Sequence, residues 1–366
     1  MKYKSIYVAA TSQHVGKTTS TLGLVTAFMK MGLRVGYCKP LGQRFVISQN
    51  LKVDKDALLF ANVMQFQLSA ELHSPVILGS GTVTAFLDRP TDFNFPERIR
   101  YAQQQLERDN DLIIYEGTGH PGVGSVVNLS NADVAKMVDA GVIIVVEGGI
   151  GSTIDMLSLC LAKFQQIDVP IVGVIINKVM EDKMEKVHHY VGKRLKKMDI
   201  PLLGMMPYDP SLAYPSMKSI AEAINGIVTH NDDMLDNKVV DILAGSLFEV
   251  DDLKSSKDLL LVASAQRVDT AIKKIKSLSQ ILGLQESPVS GIVATGAGSI
   301  EGTCLGYIKT NKIPLIRTSL DTYGSVLKIS QIEVKINQNT IWKVNRAIEM
   351  IEENIDLNRI LLLSKL

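Results

Sequence analysis

The feature that most constrains the fold is an alternation of short apolar runs with longer segments of helical periodicity, from residue 1 to about residue 207. The apolar runs are rich in Val and Ile, which is typical of buried strands. The predicted strands are Ser5–Ala10, Val35–Lys39, Leu112–Glu116, Val142–Glu147, Ile171–Asn177 and Leu202–Met206. Strands that alternate with helices need crossover connections, which place helices on both faces of a parallel sheet. The sequence therefore predicts an α/β fold with a doubly wound, mostly parallel sheet.

The alternation stops at a proline cluster formed by Pro207, Pro210 and Pro215. The chain has 366 residues, which is more than one ordinary domain of about 100–200 residues. Beyond the prolines the pattern of strands and helices resumes over a shorter stretch and closes with a helical segment. We therefore predict a first domain over residues 1–215 and a second, smaller α/β domain with a C-terminal helix over residues 216–366.

Composition excludes several classes of partner. Lys and Arg number 39 against 38 for Asp and Glu, so the net charge of +1 is too small to attract nucleic acid or an anionic membrane. Apolar stretches such as Gly141–Val146 are far shorter than the ~20 residues that span a bilayer, and the amino terminus lacks the core of a signal peptide. The three cysteines are widely separated, which predicts reduced packing residues. We expect a cytoplasmic protein without nucleic-acid or membrane partners.

A phosphate-binding loop follows the first predicted strand. It runs from Thr11 to Thr19 and places Gly16, Lys17 and Thr18 directly before a predicted helix, with Thr11 where the common pattern has its first glycine. Gly16 lets backbone N–H groups approach phosphate oxygens, Lys17 supplies positive charge to the β and γ phosphates, and Thr18 offers a hydroxyl to Mg²⁺. The residues predicted to bind nucleotide in this loop are Gln13, His14, Val15, Gly16, Lys17, Thr18 and Thr19.

Polar residues also stand at the carboxyl ends of later predicted strands. Lys39 ends the second strand, where side chains of a doubly wound sheet point into the ligand crevice. Glu116 ends the third strand and begins a glycine-rich segment, and an acid opposite a phosphate loop suits Mg²⁺, directly or through water. His120 in that segment either polarises a substrate oxygen or merely lines the loop.

Taken together, these segments resemble dethiobiotin synthetase over roughly residues 3–210. The resemblance rests on the phosphate loop, on the Lys39-Pro40 pair and on the Glu-Gly-X-Gly segment that starts at Glu116. The positions that face the diamine substrate in those enzymes hold other residue types here, namely Ser12, Gln13, His14 and Gln43. The resemblance therefore implies the nucleotide chemistry of that family without its diamine substrate.

The resemblance also implies roles for single residues. Lys39 corresponds to a lysine that faces phosphate and substrate, while Asn177 and Pro207 correspond to residues that flank the adenine. Asp56 corresponds to an aspartate linked to the metal. Asp54 is a nearby competitor, and an aspartate near a helix start is more often a helix cap.

Residues 216–335 resemble the module called DRTGG, which follows a dethiobiotin synthetase-like domain in long bacterial phosphate acetyltransferases. The matching segments are Ala263–Asp269, Gly291–Ala297 and Asp321–Tyr323, with Gln266 and Ala297 replacing two motif residues. The acetyltransferase domain would come after this module, where the sequence has only one helical segment before Leu366. Acetyl transfer is therefore not expected. The module either holds a small ligand or is a small α/β dimerisation domain, and the resemblance implies a homodimer.

Two hypotheses for function follow. In the first, the chain is an ATP- and Mg²⁺-dependent enzyme of the ligase type, which phosphorylates a small carboxylate or carbamate substrate. Its predicted catalytic residues are Lys17, Lys39 and Glu116, and its predicted metal-linked residues are Thr18, Asp56 and Glu116. In the second, it is a nucleotide-responsive regulatory or scaffold protein with slow or no ATP hydrolysis.

Overall fold

The computed structural model describes residues 4–48, 50–254, 257–332, 334, 336–337 and 340–364. The strands of this described part are β1 Ser5–Ala10, β2 Val35–Cys38, β3 Leu41–Gly42, β4 Phe45–Ser48, β5 Leu51–Asp54, β6 Val76–Ile77, β7 Leu112–Glu116, β8 Gly141–Glu147, β9 Ile171–Val179, β10 Leu202–Pro207, β11 Ile227–His230, β12 Asp241–Ala244, β13 Leu259–Ser264, β14 Val289–Thr295 and β15 Leu315–Thr318. The six strands predicted for the first domain are all present.

The helices connect these strands. They are α1 Lys17–Lys30, α2 Lys55–Met64, α3 Ala70–His73, α4 Thr82–Asp88, α5 Phe95–Asp109, α6 Asn131–Met137, α7 Gly151–Gln165, α8 Met184–Lys197, α9 Met217–Ala223, α10 Val250–Lys254, α11 Val268–Ile281, α12 Gly302–Thr310, α13 Thr322–Ser330, α14 Ile341–Asn354 and α15 Leu357–Ser364. None of the described helices is both long enough and apolar enough to cross a membrane.

The chain divides into two units, of which the first contains Met1–Asp209 together with Ile336–Leu366. Its main sheet has the order β10-β9-β8-β1-β7-β2, and all of its pairings are parallel. The strand order reverses at β1 and β8, because the chain first builds β2 and β7 on one side of β1 and then crosses to the other. A ligand crevice opens at the carboxyl ends of strands at such a reversal. The predicted doubly wound parallel sheet is confirmed.

An insertion between β2 and α5 is larger than the sequence pattern indicated. It contains the antiparallel hairpin β4–β5 and the two-residue parallel pair β3–β6, together with the short helices α3 and α4. The hairpin strands β4 and β5 are short and half exposed, so they lack the continuous apolar run that identifies a buried strand.

The second unit, Pro210–Lys335, has a five-stranded sheet of order β11-β15-β14-β13-β12. Strands β12 to β15 are parallel, whereas β11 pairs antiparallel with β15 at one edge. The side chains of β13 alternate between two apolar clusters, with Leu259 and Leu261 in one and Leu260 and Val262 in the other. Since the described parallel strands follow one another in chain order, strand order alone opens no ligand crevice in this sheet.

The C-terminal helices α14 and α15 belong to the first unit, so their expected assignment to the second domain is wrong. The reason is packing against α1, because Gly23 leaves room that Ile351 of α14 fills; a Cβ atom added to Gly23 would lie 2.3 Å from Ile351 Cγ1. The backbone N–H of Asp356 donates to the carbonyl oxygen of Leu203 in the edge strand β10 (2.9 Å). The apolar stripe of α14 therefore covers α1, and its end covers the sheet edge.

Candidate functional site

The phosphate loop lies at the carboxyl end of the central strand β1. The backbone N–H of Thr11 donates to the carbonyl oxygen of Val145 (3.1 Å), which attaches the loop to β8. Gly16 precedes α1 with a left-handed φ of 93°, and a Cβ atom added there would lie 2.0 Å from Asn177 Nδ2. Glycine is therefore required at position 16 for both conformation and space. The loop brings the amino terminus of α1, where the helix dipole and backbone N–H groups favour an anion, to the crevice.

Four of the predicted site residues meet in one hydrogen-bonded cluster beside this helix terminus. The Thr18 hydroxyl donates to Glu116 Oε1 (2.7 Å), and Lys39 Nζ donates to the same oxygen (3.2 Å). Lys39 Nζ also donates to Asp56 Oδ2 (2.5 Å). The Tyr37 hydroxyl donates to Glu116 Oε2 (3.0 Å). The structure thus joins the side chains of four separate chain segments, as the strand-end rule predicts for parallel strands.

Burial strengthens the interactions between the charged side chains of this cluster. Glu116 is fully buried and Lys39 is 5% exposed, whereas Asp56 is partly open to solvent. Burial disfavours the charge of Lys39, but the carboxylates of Asp56 and Glu116 outweigh it, and the pKa of Lys39 lies above its ordinary value. Lys39 therefore carries a positive charge that is held in place by two carboxylates.

Asp54 and Asp56 have different roles, which the sequence could not separate. Asp54 is buried and is the cap of α2, with its Oδ1 accepting from the backbone N–H of Asp56 (2.9 Å). Its own backbone N–H donates to Ser74 Oγ (2.8 Å). Burial raises the pKa of Asp54 to about 6 against the opposing charge of Lys39. Asp56 is the residue that reaches Lys39, and its link to the metal stays a prediction.

This geometry belongs to a segment that matches a known family. The sequence pattern of AAA_26, described as an AAA domain, matches residues 4–216, which is more than half of the chain. The chain belongs to the AAA_26 family. The matched segment contains the phosphate loop and every member of the hydrogen-bonded cluster described above, including Lys39, Asp56 and Glu116.

Three curated relatives extend the comparison. The AAA_26 chain is 23% identical over 373 residues to a phosphate acetyltransferase from Synechocystis sp., covering 98% of this chain and 51% of that relative. It is 27% identical over 217 residues to an ATP-dependent dethiobiotin synthetase from Thermodesulfovibrio yellowstonii, covering 55% of this chain and 88% of that relative. It is 29% identical over 234 residues to a cobyric acid synthase from Clostridium perfringens, covering 57% of this chain and 47% of that relative.

The chain spans about half the length of the phosphate acetyltransferases it matches. That similarity runs through the second unit, because it covers nearly the whole chain, whereas the dethiobiotin synthetase covers little more than half. The predicted resemblance to dethiobiotin synthetase and to phosphate acetyltransferase is confirmed, and the DRTGG assignment of the second unit stays a prediction.

Asn177 lies in strand β9 next to the phosphate loop and contacts that loop. Its Nδ2 donates to the carbonyl oxygen of Val15 (2.9 Å), and its Oδ1 accepts from the backbone N–H of Lys178 (2.8 Å). Pro207 ends the neighbouring strand β10, next to which the backbone N–H of Tyr208 donates to the carbonyl oxygen of Val179 (2.8 Å). Asn177 is therefore a support of the loop, and its contact with adenine stays a prediction.

Replacing Asn177 by alanine is expected to weaken ATP, ADP and GTP by similar factors of about tenfold, because Val15 loses a buried hydrogen-bond partner. Calorimetric titration of the three nucleotides measures this, with the distant Asn311→Ala as the control. A loss confined to adenine nucleotides would instead assign Asn177 to base recognition.

Sequence reasoning missed Asn131, the first residue of α6 in this AAA_26 chain. Its side chain is buried, and Oδ1 accepts from the Tyr7 hydroxyl (2.8 Å) and from the backbone N–H of Thr118 (3.0 Å). Its Nδ2 donates to the carbonyl oxygens of Thr118 (2.7 Å) and His120 (2.6 Å). A capping box formed by Ser130 and Asp133 could have located the helix start, but nothing local indicates the contact with the loop after β7.

Among the described residues, no group of three or more His, Cys, Asp or Glu side chains is arranged to hold a metal ion. The oxygens at the phosphate loop are the Thr18 hydroxyl and the carboxylates of Glu116 and Asp56. This donor set suits Mg²⁺ of the nucleotide-bound type, which takes one or two carboxylates and fills its other positions with phosphate oxygens and water.

Proposed function

We propose that the first unit binds ATP with Mg²⁺ and transfers its terminal phosphoryl group to a small carboxylate or carbamate, as in ligases that activate an acid before bond formation. The observation that supports this most directly is the cluster of Lys39, Asp56, Glu116 and Thr18 beside the amino terminus of α1. The similarity to an ATP-dependent dethiobiotin synthetase and a cobyric acid synthase agrees with it.

Each residue has a defined part in this proposal. The phosphate loop and Lys17 hold the β and γ phosphates, and Thr18, Asp56 and Glu116 orient the metal side of the nucleotide. Mg²⁺, when bound, neutralises phosphate charge and fixes phosphate geometry. Lys39 is held by Asp56 and Glu116 in a position to neutralise negative charge on the transferred group. Such fixed charge, in place before the reaction, is the main source of rate in phosphoryl transfer.

The proposal includes a preference for adenine over guanine. Asn177-Lys178 could begin a guanine-reading Asn-Lys-X-Asp motif, but Met180 stands at the position of the aspartate that accepts from guanine N1–H and its amino group. We expect GTP at equal concentration not to displace bound ATP in a competition titration. Equal displacement by GTP would contradict the preference.

The substrate is tested by phosphate release. The purified chain is incubated with ATP, Mg²⁺ and fractions of a metabolite pool, and phosphate is measured against the Lys17→Ala variant as a matched control. Phosphate that appears with one acidic metabolite and only in the parent protein supports the ligase-type reaction. Tight ATP binding without metabolite-dependent phosphate release contradicts it.

That second result is the one expected if the chain is a nucleotide-responsive regulatory or scaffold protein. The observation that favours this alternative is the similarity to a phosphate acetyltransferase over nearly the whole chain, including the second unit. In that case ATP occupancy, and not turnover, is the output of the first unit.

We also propose that the chain forms a homodimer, as the resemblance implies for both of its parts. Light scattering at micromolar concentration is expected to give about twice the chain mass of 40.1 kDa, as for a closed two-fold pair. A mass near that of one chain at the same concentration would contradict the dimer.

A further inference from the structure

The loop that follows Glu116 is held in one conformation by Asn131. All four hydrogen-bonding positions of the Asn131 amide are used, three of them on the loop backbone at Thr118 and His120. A Cβ atom added to Gly117 would lie 2.8 Å from Asn131 Oδ1, so the backbone must be glycine there to approach the amide. A buried amide with every donor and acceptor satisfied fixes its partners rigidly.

This loop lies against the phosphate loop. Gly119 has a left-handed φ of 62°, and a Cβ atom added to it would lie 4.0 Å from Gln13 Cγ. His120 is four positions after Glu116, whose carboxylate accepts from Thr18 in the cluster. Four residues of chain reach at most about 14 Å, so His120 lies within that distance of Glu116, on a loop that packs against Gln13 of the phosphate loop.

The orientation of the His120 ring follows from one further contact. The backbone N–H of Gly122 donates to His120 Nδ1 (3.2 Å). A nitrogen that accepts a hydrogen bond carries no proton, so the favoured tautomer has its proton on Nε2. His120 is exposed, and its carbonyl oxygen is held by Asn131. The loop thus presents Nε2–H as a fixed donor.

We propose that His120 Nε2–H hydrogen-bonds an oxygen of the terminal phosphate of the bound nucleoside triphosphate, with Asn131 as the positioning residue. This inference rests on the proposed nucleotide binding and adds to it a contact that a nucleoside diphosphate cannot make. The chain therefore distinguishes the two nucleotides through the loop after β7 as well as through the phosphate loop.

The test compares the dissociation constants of Mg-ATP and Mg-ADP by calorimetry. His120→Asn keeps an acceptor near Nδ1 for the Gly122 N–H but lacks the Nε2 donor, whereas His120→Gln places an amide donor near Nε2. We expect His120→Asn to weaken ATP about 2- to 10-fold with ADP unchanged, as for one neutral hydrogen bond, and His120→Gln to restore most of the loss. His188→Asn, at an exposed histidine of α8, is the matched control and leaves both constants unchanged.

Asn131→Asp tests the positioning role with the same ratio of constants. The aspartate keeps acceptors for the Tyr7 hydroxyl and the Thr118 N–H, but places an oxygen against the two loop carbonyls, so a selective loss of ATP affinity is expected.

An ATP-to-ADP ratio in His120→Asn equal to that of the parent overturns the inference, as does an equal loss of both nucleotides. Absence of ATP binding in the parent would instead contradict the proposed function itself.

Discussion

Replacing Lys39 by methionine is expected to lower the free energy of unfolding by about 3–5 kcal/mol at pH 7, the range for removing one partner of a buried ion pair. The variant leaves the fully buried carboxylate of Glu116 without its cation, close to Asp56 and Asp54. Methionine fills nearly the same volume, so the loss reflects charge and not packing. Urea denaturation followed by circular dichroism measures it.

Two further measurements identify the cause. Without Lys39 the folded-state pKa of Asp54 rises further, because the opposing charge of Lys39 is lost. A raised pKa stabilises the folded state below that pKa and loses this effect as the pH increases through it. Burial already raises the pKa of Asp54 to about 6 in the parent. The deficit of the variant should therefore shrink between about pH 7 and pH 5.

The matched control is Lys30→Met, at the lysine that pairs with Glu352 (2.6 Å) at an exposed position. Its expected cost is about 0–1 kcal/mol, because water screens an exposed pair. A loss of less than about 1 kcal/mol in Lys39→Met, or a deficit that grows as the pH falls, would show that the buried pair is not the source of stability.

Lys17→Ala is expected to weaken Mg-ATP by about 1.5–3 kcal/mol, or roughly 10- to 150-fold, the range for a hydrogen bond to a charged group. Lys17 is the first residue of α1, directly after the left-handed Gly16, and no other lysine or arginine stands in the loop of residues 11–16. Calorimetric titration measures the change. Lys30→Ala, at the far end of the same helix, should bind ATP as the parent does; equal affinity of Lys17→Ala and the parent would contradict the phosphate-loop assignment.

Local signals predicted the first unit well. Strand β7 is a continuous buried apolar run that ends in an acid, and β1 is a buried run that the phosphate loop and its Gly-Lys-Thr helix start follow, so both strands could be located from the sequence. Parallel pairing then brings Lys39, Glu116 and the phosphate loop to one edge. The cluster geometry follows from that rule, although its distances do not.

Contacts between distant segments were not predictable in the same way. Asn131 contacts Tyr7 across 124 positions of chain, and no periodicity reports such a pair. The sequence pattern predicted a helix near the C-terminus, but an apolar stripe on a helix does not identify the surface against which the helix packs. Asp54 precedes α2 and Asp56 lies in its first turn, and only the folded structure separates the one that caps the helix from the one that reaches Lys39.

The position of α14 on α1 has a consequence for how the protein is made. A ribosome delivers the chain from its amino terminus, so the phosphate loop and the main sheet emerge before the whole of Pro210–Lys335, and α14 only after it. Until then, the surface of α1 around Gly23 and the edge strand β10 remain uncovered. Exposed apolar surface and unpaired strand edges are where newly made chains aggregate or recruit chaperones. The nascent first unit therefore completes its surface only when its last helices emerge, and it exposes aggregation-prone surface until then.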